Sequence, residues 1–220
     1  MEKIKQIINR ALGSFTGLRL IKNKQRERLP LTRKHARPLI YFTKIFELIK
    51  DVPGDVVECG VWRGRSLLLL SFLAEGRRKI WAFDSFRGFP KGKYISNFRD
   101  TSKNIVMETL KNGHSQADVE IVEGFFADTL KNFKAKIALL HIDADLYDSH
   151  MTCFKYLFPQ ISDGGIVMFD EYDDPNWPDA KKAIDDFFRD KPFKLQQDDL
   201  SGKFFVIKTS DEFIKKAASK

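Results

Sequence analysis

From Gly54 onward, short apolar runs alternate with stretches of helical periodicity, and that rhythm predicts the fold. Asp55–Cys59, Lys79–Phe83, Val119–Val122, Ile137–Ile142, Ile166–Phe169 and Lys203–Lys208 read as strands. Between them, Ser66–Ala74, Ser102–Asn112, Ser149–Phe158 and Asp179–Arg189 place apolar residues at helical spacing. Such alternation implies an α/β fold, a mostly parallel sheet with helices on both faces. Right-handed crossovers then bring the loops after successive strands to one edge. Ser201-Gly202 leaves no room for a crossover helix before Phe204-Phe205-Val206-Ile207, so the last strand is expected to run antiparallel.

The first fifty residues follow another pattern. Ile4, Ile7, Ile8 and Leu12 form an amphipathic helical stripe over residues 2–12, interrupted by Gly13-Ser14-Phe15-Thr16-Gly17. Residues 18–38 are basic and irregular up to Pro38. Ile40, Phe42, Ile45, Phe46 and Ile49 then predict a helix from Leu39 to Ile49, closed by Pro53-Gly54. Of the 38 Lys and Arg, 13 lie in residues 1–50 against three of the 30 acidic residues, so the remainder is close to neutral. The expected division is a basic, mainly helical N-terminal extension over residues 1–50 and one domain over 51–220. The extension suits packing on the body or on a second subunit, a homodimer. Basic arms also engage nucleic acid or anionic membrane surfaces, a reading that composition alone does not carry.

An apolar content of 43% with 20 Phe excludes a disordered chain. No run approaches the ~20 apolar residues of a membrane span, and the N-terminus lacks the apolar stretch of a secretory signal. Cys59 and Cys153 sit in apolar patterns and are expected to be buried thiols, with a reducing cytoplasm as the setting.

Candidate chemistry gathers where strands end, the edge at which open α/β sheets bind ligands. Glu58-Cys59-Gly60-Val61-Trp62-Arg63-Gly64 opens a tight turn into a helix, where glycines allow close backbone approach and helix N–H groups favour an anion. The spacing is G-x-x-x-G, lacking the third glycine of a dinucleotide fingerprint. It suits S-adenosylmethionine, whose ammonium would meet an acid and whose carboxylate would meet amides. Asp84 ends the second strand 24 residues after Gly60, near the ~20-residue interval at which a carboxylate meets ribose hydroxyls. Gly124, Phe125 and Phe126 follow the third strand and could border an adenine ring.

The fourth and fifth strands break into Asp143-Ala144-Asp145 and Asp170-Glu171. Adjacent strands lie ~5 Å apart, so these carboxylates can converge, and converging carboxylates call for a cation. Hard oxygen donors favour Mg²⁺, Mn²⁺ or Ca²⁺ over zinc. His141 reads as a core histidine or a base, and His150, at a helix start, as a residue within reach of substrate.

Four segments together resemble the macrocin O-methyltransferase family: Glu58 to Ser66, Phe83-Asp84-Ser85-Phe86-Arg87-Gly88-Phe89-Pro90, His141 to Tyr147, and Gly164-Gly165 through Asp170-Glu171-Tyr172. The resemblance runs over residues 36–208. It implies a Rossmann-like class I methyltransferase with a seven-stranded sheet, and metal-assisted methylation of a hydroxyl, typically on a sugar. By position it implies Asp143, Asp170 and Glu171 as ligands of Mg²⁺ or Mn²⁺ and Asp143 as general base. Glu58, Gly60, Ser66 and Asp84 become the contacts to S-adenosylmethionine. Glu171 stands where Asp is common, and the basic arm has no counterpart. Residues 91–104 and 172–178, with Tyr94, Pro175 and Trp177, are expected to line or cover the acceptor, a small molecule that carries a sugar.

The expectation is therefore a Mg²⁺-dependent O-methyltransferase. The alternative is a non-catalytic cofactor-binding protein that engages an anionic polymer such as RNA through its basic arm. A nicotinamide-dependent oxidoreductase is disfavoured by the glycine spacing and by the lack of an evident Tyr–Lys pair.

Overall fold

The computed structural model describes residues 33–90 and 98–210. The expected helix at 2–12, most of the basic stretch at 18–38, and Tyr94 lie outside the described residues. The described chain runs α1 (Arg33–Leu48), β1 (Asp55–Cys59), α2 (Arg65–Ala74), β2 (Ile80–Asp84), α3 (Lys103–Asn112), β3 (Val119–Glu123), α4 (Phe126–Thr129), β4 (Ile137–Ile142), α5 (Tyr147–Leu157), β5 (Ile161–Phe169), α6 (Pro178–Phe188), β6 (Leu195–Gln197) and β7 (Phe204–Lys208).

The strands form one seven-stranded sheet in the order β3-β2-β1-β4-β5-β7-β6. Strands β1 to β5 pair in parallel, and β7 pairs antiparallel with β5 and with β6. The expected mostly parallel sheet with an antiparallel last strand is what forms. Alternation along each strand feeds two cores. Val56, Ala82, Leu139, Ile166 and Met168 face α1 and α2, while Val57, Phe83, Leu140, Val167 and Phe169 face α5 and α6. Because both faces are covered, the central strands read as continuous apolar runs.

Helix α1 starts earlier than expected, at Arg33, and carries Pro38 in its interior. Proline removes one intrahelical donor. The buried face of Tyr41, Phe42, Ile45 and Ile49 offsets that loss, since each such side chain contributes roughly 1.5–3 kcal/mol when withdrawn from water. This helix, which the sequence pattern grouped with the extension, lies in the same compact unit as the sheet. It is tied to the far edge by Lys44, whose ammonium donates to Asp198 at 2.7 Å, and by Tyr41, whose hydroxyl donates to the Phe204 carbonyl at 3.3 Å. No described helix is long and apolar enough to cross a membrane.

Candidate active site

Sheet pairing continues past the strand ends. The Gly124 amide donates to the Asp84 carbonyl, Gly60 to Phe83, and Asp143 to Cys59, each at 2.9 Å, and Asp170 donates to Ile142 at 3.1 Å. Five strand tips are thus held in one row. Strand order reverses between β1 and β4, so the crevice opens where Gly60 and Asp143 meet. A cavity of about 310 Å³ lies there, bordered by Gly60, Asp84, Gly124, Phe125, Asp143 and Asp145.

Asp84 shapes this cavity by gripping backbone. Its Oδ2 accepts from the Val61 and Trp62 amides at 2.7 and 2.8 Å, and its Oδ1 accepts from the Phe86 amide at 2.7 Å. A carboxylate offers about four lone-pair sites, so roughly one remains for a ligand hydroxyl where two bonds to ribose were expected. From outside, Asp100 accepts from the Trp62 indole at 2.9 Å and pairs with Arg63 at 2.5 Å. Trp62, Phe98 and Asp145, all lining the cavity, hold φ values of 47°, 57° and 56°. Non-glycine residues in that region are strained by about 1–3 kcal/mol each, and such strain concentrates at functional sites. Phe89 and Phe98 line the cavity, and Phe89 meets the rings of Phe98 and Trp177 at centroid distances of 5.6 and 5.7 Å, which puts Trp177 in the same aromatic group.

The carboxylates converge, with one exchange of partners. Ligand oxygens of Asp143, Asp145 and Glu171 all lie within 4.8 Å of one another. Asp170 stands outside this group: its Oδ1 accepts from the Lys203 ammonium at 2.7 Å, and the same ammonium donates to the Asp170 carbonyl at 2.6 Å. Asp143 and Glu171 therefore meet as expected, Asp145 joins them, and Asp170 is outside the cluster. Burial, then the charge of Asp170, pushes the Asp143 carboxyl up to about 6. Burial, then Asp143 and Asp170, pushes Asp145 up to about 8. Burial and Asp143 push Glu171 well above the usual carboxylate range. Each shift is the response of like charges withdrawn from water.

Glu171 is 3% exposed, and no N–H or hydroxyl donates to its oxygens; without a cation, only a proton shared with the Asp143 carboxyl would bridge them. An unsatisfied buried polar group costs about 1–3 kcal/mol, and more if charged. A hard divalent cation among these oxygens would remove that cost, so the donor set fits Mg²⁺ or Mn²⁺. His150 is also fully buried. Its Nδ1 lies 3.1 Å from the Leu146 carbonyl, burial pushes it down to about 4, and its unpartnered Nε2 stands 3.7 Å from Glu171.

Two expected cofactor contacts fall elsewhere. Glu58 and Ser66 do not line the cavity. Glu58 is buried beneath α1, opposite His141 in the β1–β4 register, with Oε1 3.0 Å from His141 Nδ1. Burial lowers the His141 pKa, but the Glu58 bond and charge outweigh it and the net shift is upward. Ser66 sits in the first turn of α2. Conversely, Asp148, Ser149 and Thr152 of α5 line the cavity, and only their helical spacing just after Asp145 would have marked them.

Comparisons with known proteins agree with this geometry. The family model for Macrocin-O-methyltransferase (TylF) matches residues 41–205. Demethyldecarbamoylnovobiocin O-methyltransferase of Streptomyces niveus is 31% identical over 156 residues, 62% of this chain and 59% of that protein. Mycinamicin III 3''-O-methyltransferase of Micromonospora griseorubida is 29% identical over 142 residues, 55% of this chain and 56% of its own. The chain thus spans somewhat over half the length of these curated relatives. Among solved structures, the O-methyltransferase NovP superposes with a TM-score of 0.69 at 27% identity, covering 79% of this chain and 80% of its own. The calicheamicin methyltransferase CalS11 gives 0.70 at 25% identity, covering 94% and 92%.

Proposed function

Since the chain belongs to the macrocin O-methyltransferase family, we propose that it moves a methyl group from S-adenosylmethionine to a hydroxyl of a sugar-bearing small molecule, with Mg²⁺ or Mn²⁺. Supporting the acceptor class, the relatives are named for novobiocin and mycinamicin substrates. The observation that carries the chemistry is the Asp143–Asp145–Glu171 cluster, in which Asp143 and Asp145 line the cavity beside the Gly60 turn and buried Glu171 stands behind them without a donor to its oxygens.

When bound, the sulfonium supplies an electrophilic methyl group and the cation a Lewis acid that lowers the pKa of a coordinated hydroxyl. The chain's residues position and neutralise. Asp84 fixes the Val61–Trp62 backbone on the side of the cavity that would face the donor. Asp143, Asp145 and Glu171 are the residues that would hold the cation. The acceptor proton would pass to a carboxylate of this cluster on the cavity wall, Asp143 as the sequence reading had it or Asp145 beside it. Phe89 and Phe98, packed with Trp177, would give the cavity an apolar wall on the acceptor side. Catalysis here is positional and electrostatic.

Purified protein incubated with methyl-labelled S-adenosylmethionine and a panel of glycosides tests the proposal. Label should pass to a glycoside hydroxyl, stop with EDTA, and resume with Mg²⁺ or Mn²⁺. Transfer that ignores EDTA would remove the metal from the reading, and transfer to RNA alone would remove the acceptor class.

A further inference from the structure

We propose that Lys203 is a resident counter-ion of the carboxylate edge, competing with the divalent cation for Asp170 and so setting how tightly the cation is held. The inference rests on reading that edge as a cation site.

Topology puts Lys203 there. Strand β7 runs antiparallel to β5, so its beginning lies at the row of tips where every parallel strand places its end. Phe204 pairs with Phe169, and one step further Lys203 stands opposite Asp170. Its ammonium takes both the side chain and the backbone carbonyl of Asp170, whose carboxylate lies outside the group formed by Asp143, Asp145 and Glu171. Among the described residues no other Lys or Arg pairs with any of these four acids.

The two kinds of acid differ in what they can exchange. Glu171 is closed in and no N–H or hydroxyl donates to its oxygens, so it awaits a cation. The Lys203–Asp170 pair is open, with side chains 37% and 41% exposed. An exposed pair contributes little net stability and breaks readily. A divalent cation entering the cluster has to share Asp170 with the ammonium or displace it, and in either case it meets the ammonium's repulsion. Lys203 thus works against the metal, whereas a purely structural lysine would support it by fixing a ligand. The sign of one measurement separates these roles.

The experiment is a Mn²⁺ titration of the full chain without S-adenosylmethionine, following free Mn²⁺ by electron paramagnetic resonance. K203M should bind Mn²⁺ more tightly, on the order of ten-fold, while K203R stays near wild type. Asp170→Asn should erase the gain, so that the double variant binds like Asp170→Asn alone. K203Q, which keeps a donor without the charge, gives the same answer should K203M fail to fold. Unchanged or weaker binding in K203M and K203Q, with wild type binding Mn²⁺, overturns the inference and leaves the cation site standing. If none of these proteins binds Mn²⁺, the cation site falls and the inference with it.

Discussion

Gly60 and Asp143 are fitted into one space. A β-carbon on Gly60 would lie 1.7 Å from the Asp143 carbonyl oxygen, and the Asp143 amide donates to Cys59, the residue just before Gly60, at 2.9 Å. The turn that would face the methyl donor and the strand end that would hold the cation are therefore one mechanical unit. With φ at 89°, Gly60 also has a backbone that side chains disfavour. Gly60→Ala should cost about 3 kcal/mol or more, read as a fall in melting temperature. A loss under ~0.5 kcal/mol would contradict the described contact.

Asp143→Asn separates stability from activity. It removes one of several buried like charges, so the metal-free protein should gain about 1 kcal/mol. Methyl transfer should fall at least ~100-fold, with S-adenosylmethionine affinity nearly unchanged. Thermal melts, single-turnover transfer and calorimetry measure the three quantities. Normal turnover with and without added Mg²⁺ would refute the role of Asp143.

Asp84→Ala strips the acceptor from the Val61, Trp62 and Phe86 amides together. The donor-facing loop should lose its shape, weakening S-adenosylmethionine binding at least ~10-fold by calorimetry, since each unmade bond costs about 1–3 kcal/mol. Asp84→Asn, which keeps one acceptor oxygen, should fall between.

Asp198 anchors the far edge. Its carboxylate, 1% exposed, accepts from Lys44 at 2.7 Å and from the Ser201 amide and hydroxyl at 2.8 and 2.7 Å. Asp198→Ala should cost about 2 kcal/mol in chemical denaturation, more than Lys44→Met, because the lysine is half exposed. Burial alone would raise the Asp198 pKa, but Lys44 and Ser201 outweigh it and the net shift is downward. Its contribution is therefore full above the unfolded value of about 4 and lost as pH falls through the lower folded value. The gap between wild type and Asp198→Ala should close in strong acid.

Much of this was legible in the sequence where burial was continuous. Strands β1 and β4 are covered on both faces, and the apolar runs Asp55–Cys59 and Ile137–Ile142 mark their bounds. The first half of β5 was missed because Ser162-Asp163-Gly164-Gly165 reads as a turn, yet it pairs on after a register shift. Strand β6 is three residues at a sheet edge, two of them exposed glutamines, too short and polar to show periodicity. At the site, Gly60, Asp84 and Asp143 were legible because each sits where its strand breaks. The partner of Glu58 was not legible: His141 lies 83 residues away, and only the register reveals the pair, which leaves Oε2 of Glu58 without a partner. Asp170 has a partner that the sequence reading did not foresee, for a similar reason. Lys203 could have been found, since an antiparallel last strand must begin at the row of tips.

That return strand has a consequence for how the chain is born. The ammonium that neutralises Asp170 is encoded 33 residues after it. As the polypeptide leaves the ribosome, the acids of β4 and β5 emerge first, mutually repelling and unmatched. The edge meant for chemistry is thus the last part of the sheet able to settle during synthesis.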